Sequence, residues 1–294
     1  MGVAADFQRL CNELTISSGR RSTVSDRYEL MTRRLNLEYW DSDSRTQHSI
    51  YAGSYGRGTA TSRTSDVDMI FWLPYAQYVR FNGYSGNGQS AMLHEVSKAI
   101  QKTYSVTKIG ADGQVVVVPF DDGVAFEVLP AFVNENGSFT YADTNGGGTW
   151  KTTNPRPEIE EIARVDKLCN GNLKCLAKMA RAWKHVWSVD ISGLLIDTLV
   201  YQFLRDYEYR EKSFLYYDYI SRDFFDFLSK QDGDKNYWLS PGAGQYVWKK
   251  GNFQFKAAQC RNIAIAACAY QGDAYGWTAR QKWREIYGTK FPSA

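Results

Sequence analysis

The stretch YAGSYGRGTATSRTSDVDMIFWLP, residues 51–74, decides the fold, because it sets a glycine-rich turn a short way ahead of two aspartates spaced i, i+2. Residues 66–73 have the apolar, partly β-branched and aromatic make-up of a buried strand, with Asp66 and Asp68 near its start. Residues two apart on a strand point to the same face. At ~3.3 Å per residue their Cα atoms stand roughly 6.6 Å apart, a spacing from which two carboxylates can reach a pair of divalent cations. Two like charges on an apolar strand are costly without such cations. The stretch reads as a phosphate cradle beside a metal site.

Composition bounds the rest. The 294 residues, 44% of them hydrophobic, give room for one large domain or two packed lobes around a real core. Thirty-five Lys and Arg against 32 Asp and Glu leave +3, too even a balance to argue for bulk nucleic-acid binding. No apolar run approaches the roughly 20 residues of a membrane span, and residues 1–10 are not a basic-then-apolar leader, so a cytoplasmic protein without a membrane partner is expected. The five cysteines form no CxxC pair, and their odd number argues against a complete disulfide framework and for a reduced compartment. His48, His94 and His185 lie in no zinc spacing, which leaves a hard cation held by carboxylates as the metal to expect.

Around the central stretch the pattern is mixed. Helices are expected at 4–14 and 25–40, the arginines at 20, 21, 27, 33 and 34 reading as a solvated helix flank. Residues 49–52 read as a brief strand and 90–104 as a helix. Strands follow at 106–109 and 115–118 around a turn at 111–113, and at 124–132. In that last strand Glu127 is the one charge in a nine-residue apolar run, either an edge residue facing solvent or a third metal ligand. Asp121 and Asp122 compete for that role, although Asp-Asp-Gly has turn chemistry of its own.

Residues 134–157, rich in Gly, Asn and Thr, read as the connection between a first lobe (1–150) and a second (151–294). The second lobe is helical, with helices at 157–170, 173–186, 194–207, 214–228, 253–270 and 279–287. Lys178, Arg181 and Lys184 recur at i+3 and share one broad helix face. Ser192 is placed to cap the helix that follows. The 20 tyrosines and nine tryptophans are packing residues by default, with one or two available to stack on a base.

Taken in order, Gly53-Ser54, Arg57-Gly58-Thr59 and Asp66-Val67-Asp68 resemble the GS…T…DxD signature of the polymerase-β-like nucleotidyltransferases, and more narrowly the cGAS/DncV-like CD-NTase branch with its SMODS domain. The resemblance continues through Glu127 in a strand ending Pro130-Ala131, Trp150 with Asn154-Pro155, Arg181-Ala182-Trp183-Lys184 followed by Ser192, and residues 283–292. Two departures stand out. Glu127 replaces the family's usual third aspartate, and Arg181 stands where lysine is frequent, so the phosphate contact could pass to Lys178 or Lys184.

What the resemblance implies is an α+β fold: a nucleotidyltransferase lobe with a mixed β-sheet packed against a helical C-terminal lobe, bilobal with a central cleft. It implies two Mg²⁺ ions, or Mn²⁺, held by Asp66, Asp68 and Glu127 as catalytic residues. It implies nucleotide contacts from Gly53, Ser54, Arg57, Thr59, Arg181, Lys184 and Ser192. The activity implied is joining of NTPs, ATP among them, into a cyclic di- or trinucleotide second messenger with release of pyrophosphate, in CBASS anti-phage signalling. A downstream effector would read the product, a regulatory protein or peptide could act as trigger, and a monomer is expected. The alternatives are a template-independent RNA-end nucleotidyltransferase, weakened by the lack of a long basic C-terminal extension, and a catalytically silent nucleotide- or RNA-binding sensor, weakened by the three intact acids.

Overall fold

The chain opens with helix α1 (Val3–Leu14), whose Phe7, Leu10, Cys11 and Leu14 are buried at helical spacing. The structure, a computed structural model, describes residues 2–270 and 276–293. Helix α2 (Ser18–Tyr39) starts at Ser17, whose hydroxyl accepts from the Arg20 N–H. On it Arg27 pairs with Asp122, Arg33 with Asp43 and Arg34 with Glu38, so three of the five arginines of this flank are answered by an acid.

Then come β1 (Ser49–Tyr51), the short turn α3 (Gly53–Gly56), β2 (Asp66–Trp72), α4 (Tyr75–Asn82), α5 (Gly88–Gln101), β3 (Gly110–Asp112), β4 (Val115–Pro119), β5 (Ala125–Val133), β6 (Phe139–Asp143) and β7 (Thr149–Thr153). The strands form one seven-stranded sheet in the order β1-β2-β5-β4-β3, with β6 added to β5 and β7 to β6. Strands β2 and β5 run parallel and the other pairings are antiparallel, which makes the sheet mixed as expected. Val67, Met69 and Phe71 of β2 and Phe126 and Val128 of β5 point into a core filled from α2 by Met31 and Leu35 and from α5 by Leu93 and Val96. By the period-2 alternation, Asp66, Asp68 and Glu127 lie on the opposite face.

Two expectations fail here. Residues 106–109 are not a strand; the pairing begins at Gly110, because the left-handed φ of 58° at Gly113 puts the turn after Asp112. Residues 134–157 are not a bare connection either, since they fold into the β6–β7 hairpin. Buried Phe139 and Ala142 hold β6 to the sheet, and the Trp150 indole donates to Asn82.

After β7 come α6 (Arg156–Leu168), α7 (Asn172–Val186), α8 (Gly193–Arg205), α9 (Tyr217–Ser229), a small hairpin of β8 (Tyr237–Leu239) and β9 (Tyr246–Trp248) that the sequence reading missed, α10 (Gln254–Ala269) and α11 (Gly276–Tyr287). By contacts the chain resolves into a helical unit, Met1–Ile16, Arg57–Arg63 and Pro157–Ala294, and a sheet unit, Ser17–Gly56 and Thr64–Arg156. That partition is discontinuous, whereas the expected one was a single break after residue 150, a point inside β7. Helix α1 joins the helical unit because Phe7 packs edge-on against Trp283 and Phe291, at 5.1 and 5.2 Å between ring centres. Cys11 on α1 is disulfide-bonded to Cys175 on α7, while Cys169, Cys260 and Cys268 are free. With three cysteines free the framework is incomplete, as the odd count argued, while the one bonded pair, 164 residues apart, runs against the reduced compartment expected and leaves no spacing signal. Among the described residues, no helix is long and apolar enough to cross a membrane.

Candidate functional site

The sheet unit assembles the acids through register. In the parallel β2–β5 ladder Asp68 stands directly beside Glu127, and Asp66 beside Ala125. A carboxylate two residues along the strand and one across the ladder thus share a face, which neither strand shows alone. The Ser65 hydroxyl donates to Asp66 Oδ1 at 2.9 Å. Burial pushes the Glu127 carboxyl above its ordinary value, and Asp68, Asp66 and Asp112 push it the same way. Asp112, on β3, is a fourth nearby carboxylate that sequence reading did not single out.

The glycine turn is built onto the same place. Gly53 has φ +54°, and a Cβ on it would fall 1.8 Å from Asp68 Oδ2. The Ala52 N–H donates to the Asp68 carbonyl at 2.9 Å, and the Gly56 N–H closes the turn onto the Ala52 carbonyl at 2.8 Å. Only glycine lets the backbone lie against that carboxylate, so the turn at Gly53 and Asp68 form one unit of structure. All the clustered donors are carboxylate oxygens, the donor set of Mg²⁺ or Mn²⁺. Among the described residues no three His, Cys, Asp or Glu side chains converge into a ready-made metal cage. In donor chemistry the residues suit a divalent cation, but among the described residues no three of them are gathered around one point.

The helical unit holds the other expected nucleotide contacts, and it divides them. Arg57 and Thr59 are buried, and Arg57 Nε donates to Asp197 at 2.7 Å while its Nη1 reaches Glu158 at 2.6 Å. Thr59 donates to the same Asp197 oxygen at 2.9 Å, and Arg181 grips Asp197 with two bonds of 2.6 and 2.8 Å. Asp197 is fully buried; burial alone would raise its carboxyl, but Arg181 and Arg57 outweigh it and hold it below the ordinary value. Two arginines against two acids make a balanced, closed network. Arg57, Thr59 and Arg181 are thereby engaged in the interior of the unit, where phosphate contacts had been expected of them. Asp197 carried a signal that went unread: it is the one charge in the apolar run 194–200.

Ser192 caps α8, its hydroxyl oxygen accepting from the Leu195 N–H at 3.1 Å. Lys178 donates to Thr15. Lys184 is half-buried, and among the described residues its amine makes neither an ion pair nor a hydrogen bond. Burial lowers its pKa, and Lys250 and Arg181 lower it further against the opposing Asp190. Among the described residues, then, Lys184 differs from Lys178 and Arg181 in having no ion pair or hydrogen bond at its charged end.

A cyclic AMP-AMP-AMP synthase of Acinetobacter is 24% identical over 253 residues, 83% of this chain and 73% of that protein. A Bacillus cereus protein named as a probable cyclic nucleotide synthase is 25% identical over 177 residues, 57% of this chain; the match spans about half of that relative, 52%. Among solved structures, Escherichia coli MS115-1 CdnC with ATP superimposes with a TM-score of 0.75 over 98% of both chains at 12% identity, a likeness of fold. The same CdnC is also known in complex with HORMA-deltaN. Residues 1–166, more than half of the chain, match the Second Messenger Oligonucleotide or Dinucleotide Synthetase domain, and the chain belongs to that family, the CD-NTases.

Proposed function

We propose that this chain is a cyclic oligonucleotide synthase that joins NTPs, ATP among them, into a cyclic di- or trinucleotide with release of pyrophosphate. The observation that carries the reading is the seating of the Gly53 turn on Asp68, itself in register with Glu127. A ribose hydroxyl oxygen bonds to the α-phosphorus of an NTP, the bond from that phosphorus to the bridging oxygen breaks, pyrophosphate leaves, and the hydroxyl proton is released. Asp66, Asp68 and Glu127 would hold two Mg²⁺ ions, which supply charge neutralisation at the phosphates and acidity to the hydroxyl. Within the sheet unit, the Gly53-Ser54 turn offers backbone N–H groups and a hydroxyl to phosphate oxygens; within the helical unit, Lys184 offers its charge to an anion. Arg57, Thr59 and Arg181 act indirectly, by holding Asp197 and the chain that follows the turn. The relatives named for cyclic nucleotide synthesis support this chemistry, and we extend it to CBASS signalling through a separate effector, with a protein trigger of the kind the HORMA complex of CdnC exemplifies.

Incubating the protein with four radiolabelled NTPs and Mg²⁺ or Mn²⁺ tests the proposal. Phosphatase-resistant small products support it. Extended RNA primers would replace it with RNA-end transfer, and no turnover with any metal would leave a nucleotide-binding sensor.

A further inference from the structure

Lys250 enters no motif, yet the fold brings the loop that carries it against Asp190, just past the end of the helix that carries Lys184. The Val189 N–H donates to the Lys184 carbonyl at 2.9 Å, which folds the end of α7 back so that Asp190 follows directly. The Gly251 N–H then donates to the Asp190 carbonyl at 3.0 Å. A Cβ at Gly251 would sit 2.8 Å from Asp190 Cβ and 3.0 Å from its Oδ2, so the loop after β9 presses on Asp190 at a point only glycine admits. On the other side, the Lys249 N–H is tied to the Asn236 carbonyl at 2.8 Å and Lys256 donates to the Trp187 and Ser188 carbonyls at 2.8 and 2.9 Å. The loop is thus fastened at both ends around Lys250.

We propose that Lys250 is a second polyphosphate-binding residue, acting beside Lys184 on the triphosphate of a bound NTP. Among the described residues neither amine has an ion pair or a hydrogen bond, whereas Arg181 is spent on Asp197 and Lys256 on the end of α7. Holding two ammonium groups near each other is unfavourable in the free protein, and an anion of several negative charges converts that repulsion into affinity. Burial lowers the Lys184 pKa most, the neighbouring Lys250 and Arg181 lower it further, and Asp190 compensates in part. A single-charged ligand would satisfy one amine; the pair suits a polyphosphate. The inference rests on the proposed use of NTPs as substrates and adds a residue to it.

The test is equilibrium binding of ATP, adenosine and inorganic tripolyphosphate to the wild-type chain and to Lys250→Met, Lys250→Arg and Lys184→Met, with KM and kcat measured alongside. Lys250 is exposed, so the folded state tolerates either substitution. Lys250→Met should weaken ATP and tripolyphosphate about three- to tenfold, between an exposed ion pair and a charge-assisted hydrogen bond, and leave adenosine unchanged. KM should rise with kcat nearly constant, Lys250→Arg should recover most of the loss, and the difference from wild type should shrink with added salt. If Lys184→Met loses ATP while Lys250→Met binds it as wild type does, the role given to Lys250 is overturned. If the wild-type chain binds no NTP, it is the underlying substrate reading that is overturned.

Discussion

Gly53→Ala perturbs the site by one methyl group, and the structure sets the size of the effect. The new Cβ would lie 1.8 Å from Asp68 Oδ2 and 2.6 Å from its Cγ. Real Cβ contacts stay beyond 3.0 Å, so carboxylate and turn must separate by more than ~1 Å. A φ of +54° also costs a non-glycine residue roughly 1–2 kcal/mol. For a chain of this size that lowers Tm by about 2–8 °C, which leaves the protein folded. The catalytic loss should be far larger, because misplacing a reacting group by ~1 Å costs on the order of 100-fold in rate. Pyrophosphate release under saturating NTP, measured beside a thermal melt of the same sample, separates the two effects. A variant with wild-type turnover would refute the claim that the turn positions Asp68, and one that fails to fold would show the stability arithmetic to be wrong.

Other outcomes follow from the helical unit. Asp197→Asn leaves buried Arg57 and half-buried Arg181 short of their counter-charge and should cost about 3–5 kcal/mol in urea unfolding; a loss under ~1 kcal/mol would show the network to be dispensable. In the proposed role Lys184 would bind phosphate as its ammonium form, and its pKa is lowered by burial, Lys250 and Arg181 against Asp190. ATP affinity should therefore fall as pH rises through that lowered value, below the range of an ordinary lysine, and Lys184→Arg should flatten the decline. Matching profiles for the two proteins would contradict the assignment. Thiol titration of the unfolded, unreduced chain should find three reactive cysteines, Cys169, Cys260 and Cys268, and Cys11→Ser should lower stability by up to about 5 kcal/mol; five reactive thiols would remove the bond.

The signals that sequence carries are local, and the molecule shows where that locality ends. Asp66, Asp68 and Glu127 were legible because a charge in an apolar strand demands a reason, and each lies in a strand whose alternation is clear. That Asp68 and Glu127 stand side by side depends on a parallel pairing between distant strands, which no local pattern contains. The β6–β7 hairpin was hidden because β7, TWKTT, is polar and largely exposed, so its residues look like a loop although their backbone is paired. Arg57 and Arg181 were read as nucleotide contacts because sequence gives charge and spacing but not the buried acid that answers them. Asp197 could have been found by the logic that found Glu127, applied to a helix instead of a strand. Lys250 could not, since its approach to Lys184 depends on a glycine contact across 61 residues of chain, from Asp190 to Gly251.

The central claim is that this chain joins NTPs at the Asp66, Asp68 and Glu127 face. Mass spectrometry of small products made from ATP and the other NTPs with Mg²⁺, by the wild-type chain and by Asp66→Ala/Asp68→Ala protein shown to be folded by its thermal melt, tests it most directly. The account predicts a cyclic oligonucleotide and pyrophosphate from the wild type and neither from the variant. A wild type that yields no nucleotide product, or a variant that yields the same one, would contradict it.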